Sequence, residues 1–294
     1  MFTSIIIPNL NSPIIDRTIA GILAQEGFDP AAIEVIVVGR DEPGLVIRQS
    51  DTVRLVDTGR PMAPAPARNL GVAHSRGELL CFLDADCIPA ADWLARLTAA
   101  YAADPGLAIL GGGVAFADDN YWTLADNIAS FYPYLATTSA GERAQLPSLN
   151  LSCRRRVWDR VGPFDERYPF PACEDSDWST RARLAGYRLQ FEPRAVVSHH
   201  PARSSLRHLW QHAVRFGYYS IKVDPRYWPI VGRPWPFRSR WALLGTAPGL
   251  AAAVTVRAFV RDRALWRHAA TAPAVFAAKL GWCWGAARRL GELR

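Results

Sequence analysis

A chain of 294 residues, 50% of them hydrophobic, has enough apolar material for one substantial core and a smaller appendage. Its five cysteines (Cys81, Cys87, Cys153, Cys173 and Cys283) form no CxxC pair and no metal-ligand spacing, which excludes a zinc ribbon or dithiol motif and reads as core packing in a reducing compartment. The net charge of +7 hides an asymmetry: residues 1–200 hold 18 basic against 24 acidic residues, whereas residues 201–294 stand at +13 and carry seven of the eleven tryptophans.

The apolar start, Phe2 to Leu10, is short and has no basic region before it, so no secretory signal is expected. Residues 4–8 and 34–39 are continuous apolar runs, as in strands buried on both faces of a parallel sheet. Between them, Ile14, Ile15, Ile19, Ile22 and Leu23 recur at helical spacing. Residues 53–57 read as a third strand. Pro61, Pro64 and Pro66 break the chain before a helix expected from about Ala67 to His74, and residues 78–83 make a fourth strand. This alternation implies an open α/β sheet, which binds ligands at the carboxyl ends of its strands. Further on, 175–185 and 205–221 read as helices. A proline-interrupted aromatic stretch and two apolar segments, Trp241–Val256 and His268–Ala287, the second expected to be interrupted by Pro273, complete the chain.

The fourth strand ends in Asp84-Ala85-Asp86. Side chains two apart on an extended chain share a face, so both carboxylates are expected to aim at one point. Hard divalent cations combine one or two such carboxylates with substrate phosphates. Alone, the pattern is equally compatible with a solvated turn. Its surroundings make it specific: Arg68 to Leu94, RNLGVAHSRGELLCFLDADCIPAADWL, resembles the central signature of the family 2 glycosyltransferases. Thr3–Ser12 resembles that family's first strand and nucleotide-binding turn, and Asn150–Leu189 its acceptor half, so the resemblance runs over roughly residues 3–220 with the motifs in order.

The resemblance implies a GT-A fold: a Rossmann-like mixed α/β sheet flanked by helices. It implies inverting transfer of a sugar from a nucleotide-diphosphate sugar, dependent on Mn²⁺ or Mg²⁺. Asp86 would be the chief metal ligand, with Asp84 reaching the ribose or a metal-bound water, Ala85 lying between them, and His199 completing the metal or diphosphate site. His200 is the substitute for His199, and either is otherwise a structural histidine. Of the pair Glu174–Asp175, the resemblance makes Asp175 the general base and Glu174 the alternative. Without a catalytic role, both carboxylates would complement a helix N-terminus. Pro8, Asn9, Asn11, Asp41 and Arg68 are the further donor-side candidates, and Arg215-Phe216-Gly217 resembles a later basic element that would meet diphosphate or anionic lipid. One departure stands out. Gly39 occupies the place where relatives carry an Asp that contacts the nucleobase, which leaves the donor's base open. On the acceptor side, Trp158, Asp177 and Trp178 are candidates, with core packing the competing role for the aromatics, Phe164 among them.

The expected organisation is a catalytic domain over 1–225 and a basic, Trp-rich helical tail over 226–294. Trp241–Val256 is a 16-residue uncharged run, shorter than the roughly 20 residues a spanning helix needs, and arginines flank both apolar segments. That pattern suits helices lying at a membrane surface, with a spanning hairpin and soluble packing as alternatives. The expected partners are therefore a nucleotide-sugar donor, a glycan or lipid-linked acceptor and the cytoplasmic face of a membrane, in cell-envelope polysaccharide or glycolipid synthesis. No nucleic-acid partner is expected, because no recognition motif accompanies the basic tail. The competing functions are a sugar-nucleotide-binding pseudoenzyme, motivated by Gly39, and nucleotidyl transfer, which normally uses a Gly- and Lys-rich loop that Pro8-Asn9-Leu10-Asn11-Ser12 does not provide.

Overall fold

The computed structural model describes residues 1–27, 29–46, 51–116 and 120–293. The chain divides into two compact units: Met1–Ala115 with Tyr134–His200, and Phe116–Pro133 with Pro201–Arg294. Residues 201–225, which the sequence groups with the catalytic body, fold with the second unit.

In chain order the elements are β1 (Thr3–Leu10), α1 (Ile15–Leu23), β2 (Ile33–Arg40), β3 (Val53–Asp57), α2 (Pro64–Ala73), β4 (Leu79–Leu83), β5 (Cys87–Pro89), α3 (Trp93–Ala103) and β6 (Ile109–Phe116). There follow α4 (Tyr121–Phe131), β7 (Gly141–Glu142), β8 (Asn150–Arg154), α5 (Arg155–Val161), α6 (Glu174–Leu184), β9 (Leu189–His199) and α7 (Leu206–Tyr218). The last helices are α8 (Trp228–Val231), α9 (Arg240–Arg261) and α10 (Ala272–Glu292).

The first unit is built on a mixed sheet of order β3-β2-β1-β4-β8-β6-β9-β5, with β7 added on β9. β3, β2, β1 and β4 run parallel, and β8 joins β4 antiparallel. Ile5, Ile6 and Ile7 of β1 are fully buried, as a continuous apolar strand covered on both faces requires. Each such side chain contributes about 1.5–3 kcal/mol of burial. Ile6, Leu80 and Phe82 continue into a cluster with Trp158, Phe164, Trp178 and Leu189, so the central strands and α6 share one core.

Helix α2 begins at Pro64, three residues before its expected start. The prolines open the helix rather than delay it, because the first-turn N–H groups have no intrahelical acceptor to lose. α10 repeats the lesson: Pro273, expected to interrupt an apolar segment, stands in its first turn.

In the second unit, α7 and α10 approach closely. A Cβ on Gly217 would lie 1.9 Å from the Trp282 carbonyl oxygen, and one on Gly285 would lie 1.9 Å from that of Val214. The resemblance-based element Arg215-Phe216-Gly217 thus contains a glycine that the helix crossing demands. α9 buries Leu243, Ala247, Ala251, Thr255 and Ala258, a stripe at steps of four and three. Its 22 residues exceed the apolar run read from the sequence, because Arg240, Arg257 and Arg261 are themselves helical. Among the described residues it is the one helix long and apolar enough to cross a membrane.

Candidate active site

The donor-side candidates lie on one rim of the first unit, at the carboxyl ends of β1, β2 and β4. Asn9, 4% exposed, donates from Nδ2 to the Arg40 carbonyl and accepts from the Ser12 N–H, so it braces the loop after β1. Pro8 is half-buried beside it. Asn11 adopts φ +56° and accepts from the Glu42 N–H, while Asp41 accepts from the N–H groups of Leu45 and Val46. Gly39 pairs with Asn9 across the parallel ladder at φ +136°, and a Cβ there would fall 1.9 Å from the Asn9 carbonyl oxygen. No side chain fits at 39 on this backbone. The close approach of β1 and β2 at their ends thus leaves position 39 without a side chain, and Asp41 is the neighbouring acid, engaged with its own loop.

β4 ends at Leu83, and Asp84-Ala85-Asp86 forms a turn closed by the Cys87 N–H donating to the Asp84 carbonyl at 3.0 Å. The two carboxylates therefore do not follow the extended-strand alternation expected of them. Ser12 and Thr18 both donate to the Ala85 carbonyl, at 2.9 and 3.1 Å, so Ala85 acts through its backbone to fasten the turn to the first loop and α1.

Arg68 is the hinge of the arrangement. It is 2% exposed on α2, and its two amino groups donate to Asp84 at 2.6 Å and to Glu174 at 2.8 Å. Its guanidinium carbon lies 5.7 Å from the centre of the Phe164 ring, and its Nε is buried without a hydrogen-bond partner among the described residues. Both forks being committed to carboxylates, Arg68 bears on a donor by fixing Asp84 rather than by an amino group of its own.

Glu174 opens α6, directly after Cys173 in the left-handed region at φ +69°. Burial pushes the Glu174 carboxyl up to about 7 against the pull of Arg68, with Asp175 adding repulsion. Asp175 is half-buried and accepts backbone N–H groups from Ser148 at 3.1 Å and Ser176 at 2.7 Å. Burial raises its carboxyl, opposed by the Ser148 N–H and by Arg68. Of the two acids, Asp175 is the one with access.

β9 brings the histidines to the turn. Cys87 of β5 lies opposite His199 of β9 in the antiparallel ladder, and the His200 N–H donates to the Asp86 carbonyl at 2.9 Å. His199, 3% exposed, holds Nε2 3.7 Å from Asp86 Oδ1. The His200 ring lies 3.0 Å from Ser198 Oγ, the other way along the strand. Asp86, Cys87 and His199 form a group whose donor atoms all lie within 4.8 Å of one another, and Asp84 stands apart from it on Arg68. An aspartate and an imidazole at that spacing fit a divalent cation. Cys87, taken from the sequence as core packing, is the residue in this group that sequence reading missed; its only signal was its place directly after the aspartates.

The acceptor-side expectation is corrected. Trp178 is 0% exposed and stacks on Trp158 at 6.2 Å, and Trp158 packs in turn on Phe164 and Phe82. Asp177 is fully buried against Arg181 at 2.8 Å. Side chains so enclosed cannot reach an acceptor; they build the floor under α6.

The model of the family described as glycosyl transferase family 2 matches residues 4–156. The glycosyltransferase AglE of Haloferax volcanii is 31% identical over 209 residues, covering 69% of this chain and 67% of that protein. The pre-mycofactocin glycosyltransferase of Mycobacterium tuberculosis is 30% identical over 146 residues, which is 46% of this chain and only 30% of the relative. Among solved structures, the mannosyltransferase PcManGT from Pyrobaculum calidifontis, in complex with GDP-Man and Mn²⁺, superposes with a TM-score of 0.63 at 24% identity, covering 99% of this chain and 88% of that one. Its likeness supports the GT-A reading of the mixed sheet. With the family's signature matched across more than half its length, the chain belongs to glycosyl transferase family 2.

Proposed function

We propose that this protein transfers a sugar from a nucleotide-diphosphate sugar to an acceptor hydroxyl with inversion, Asp175 acting as base. The observation that carries the reading is Arg68, which takes one carboxylate from each acidic pair and leaves Asp86 and Asp175 as the working members. In the hypothesised step the acceptor oxygen attacks the anomeric carbon as its proton passes to Asp175. The bond from that carbon to the diphosphate oxygen breaks in the same displacement, which inverts the centre. Asp86 and His199 would hold the divalent cation, with Asp84 directed by Arg68 to the donor side. When bound, the ion would supply charge neutralisation to the departing diphosphate. An imidazole ligand favours Mn²⁺ over Mg²⁺, whose preference is for oxygen. Mn²⁺ accompanies GDP-Man in PcManGT, which is in keeping with a divalent cation paired with a nucleotide-sugar donor here.

The acceptor we infer is a glycan or lipid-linked saccharide met at an anionic, cytoplasm-facing membrane, consistent with envelope polysaccharide or glycolipid synthesis. α9 supports this: opposite its buried stripe it exposes Trp241 at 67%, Val256 at 61% and Val260 at 69%, close to Arg238, Arg240, Arg257 and Arg261. Interfacial tryptophans beside arginines suit the headgroup region, and each cation adds about 1 kcal/mol near an anionic leaflet.

The test is nucleotide release with Mn²⁺ across UDP-, GDP- and dTDP-sugars, using membrane lipid extract as acceptor. Release from one donor, lost in Asp86→Ala and in Asp175→Asn, supports the reading. Donor binding without release by any combination would favour the pseudoenzyme. For the membrane, flotation with anionic and neutral vesicles should show anionic-selective binding that weakens in Trp241→Ser/Val260→Asp; indifference to vesicle charge would sink that part.

A further inference from the structure

We propose that Cys87 is a third protein ligand of the cation site, making this centre able to take a thiophilic divalent cation, such as Co²⁺ or Zn²⁺, through one carboxylate, one thiolate and one imidazole. The inference rests on the metal reading of Asp86 and His199 given above, and deepens it.

The argument begins with register. Cys87 and His199 are directly opposed across the β5–β9 ladder. Opposed residues of an antiparallel pair project to the same face with Cβ atoms about 4.5–5.5 Å apart. The Cys87 N–H is held by the Asp84 carbonyl, and the Asp86 carbonyl by the His200 N–H. The backbone on both sides of the site is therefore fixed by hydrogen bonds before any ion arrives. Donor atoms at ordinary zinc distances, about 2.0–2.1 Å for nitrogen and 2.3 Å for sulfur, stand roughly 3.3–3.8 Å apart around a tetrahedral ion. Asp86 Oδ1 and His199 Nε2 are already 3.7 Å apart, and all three donor atoms fall within 4.8 Å. Closing the group needs only small side-chain rotations.

Chemistry then separates this cysteine from the others. Cys81, Cys153, Cys173 and Cys283 are also buried and outside any disulfide, but none of them belongs to such a group among the described residues. A cysteine that only packs behaves as a small hydrophobe. Cys87 instead sets its sulfur within 4.8 Å of a carboxylate oxygen and an imidazole nitrogen. An O, S, N donor set suits Co²⁺ and Zn²⁺ far better than Mg²⁺. On binding, the thiol coordinates as thiolate and its proton passes to solvent.

Co²⁺ titration of the full-length protein, followed by near-ultraviolet absorption, tests this, alongside Mn²⁺ titration followed by the loss of the free-ion EPR signal. Both are run with and without GDP and UDP. The expected result is a thiolate-to-Co²⁺ charge-transfer band saturating at one equivalent, absent in Cys87→Ser and in Cys87→Ala. Both variants should bind Mn²⁺ within about threefold of wild type and Zn²⁺ at least tenfold more weakly. No band, with Mn²⁺ binding that is abolished by Asp86→Ala, overturns the role of Cys87 and leaves the metal reading standing. A band that survives in both Cys87 variants also overturns it, by assigning the sulfur elsewhere. Failure of both ions to bind under every condition removes the metal reading itself, and this inference with it.

Discussion

The turn after β4 and the first turn of α6 each carry two acids, and the molecule treats the two pairs alike. One member of each, Asp84 and Glu174, is tied to the same buried guanidinium, at 2.6 and 2.8 Å. The other members, Asp86 and Asp175, are held by different means, the first beside His199 and the second by the backbone N–H groups of Ser148 and Ser176. The pairs differ in solvent. Asp84 keeps 30% of its side chain exposed and Glu174 only 5%, so the turn is poised for a ligand and the helix start is a buried brace with one open neighbour. A single cation can thus set the spacing of two acidic centres that are 90 residues apart in sequence, from Asp84 to Glu174. Access separates Glu174 from Asp175, whereas Asp84 and Asp86, each 30% exposed, are separated by their partners, Arg68 and His199.

The largest effects should fall on the open members. Asp175→Asn is expected to lower kcat by about 10²–10⁴-fold, the usual worth of a general base, with donor affinity preserved. Glu174→Gln should cost far less in kcat and appear chiefly as reduced stability. Equal losses of kcat in the two variants would break the distinction drawn between brace and base. Arg68→Ala comes next. It leaves the buried Glu174, raised to about 7 even with Arg68 present, to take up a proton or stay unpaired, and removing one partner of a buried pair typically costs about 3–5 kcal/mol where the carboxylate is ionised. Chemical denaturation of Arg68→Ala, Glu174→Gln and the double variant would resolve this. The double variant should be more stable than Arg68→Ala alone, and increasingly so as pH rises, because no buried carboxyl is left to be protonated or unpaired. Simple additivity would mean that Arg68 matters to the fold without reference to Glu174.

Much of this arrangement was legible in the sequence, and the misses have definite physical origins. Continuous apolar runs located β1, β2 and β4 because a strand covered on both faces has no polar alternation to lose. The resemblance singled out Arg68, Asp84, Asp86, Asp175 and His199, of which the structure sets Arg68 on Asp84 and His199 beside Asp86. It could not tell that Arg68 is enclosed, since burial depends on Phe164 and Glu174, which arrive from a distant segment. Trp158 and Trp178 illustrate the same limit: an aromatic that stacks on sugar and one that stacks on another aromatic are identical in sequence. Cys87 escaped because its partner His199 lies 112 residues further on, joined to it only by strand register. Pro64 and Pro273 were misread because proline interrupts a helix interior but suits its first turn.

A smaller effect, about 1–3 kcal/mol, is expected for Gly39→Ala, which combines a strained positive φ with a contact on the Asn9 carbonyl. Thermal melts would measure it. A neutral outcome would mean that the ends of β1 and β2 can part, and would open position 39 to a side chain.

The most modest effect is a displacement of a pH limb rather than a loss of rate. Asp175 must be deprotonated to accept the acceptor's proton, so activity falls as pH drops through its folded-state pKa. Burial raises that pKa, while the N–H groups of Ser148 and Ser176 and the charge of Arg68 oppose the rise, and Asp84 reinforces it. Because the net direction is upward, the acid limb of kcat/KM should lie above the ordinary aspartate value of about 3.9. Profiles taken with a saturating ion and a single donor would locate it. A limb at or below that value would mean that the two backbone donors outweigh desolvation. Asp175 would then be a carboxylate held ready by hydrogen bonds, and the contrast with Glu174 would rest on solvent access alone.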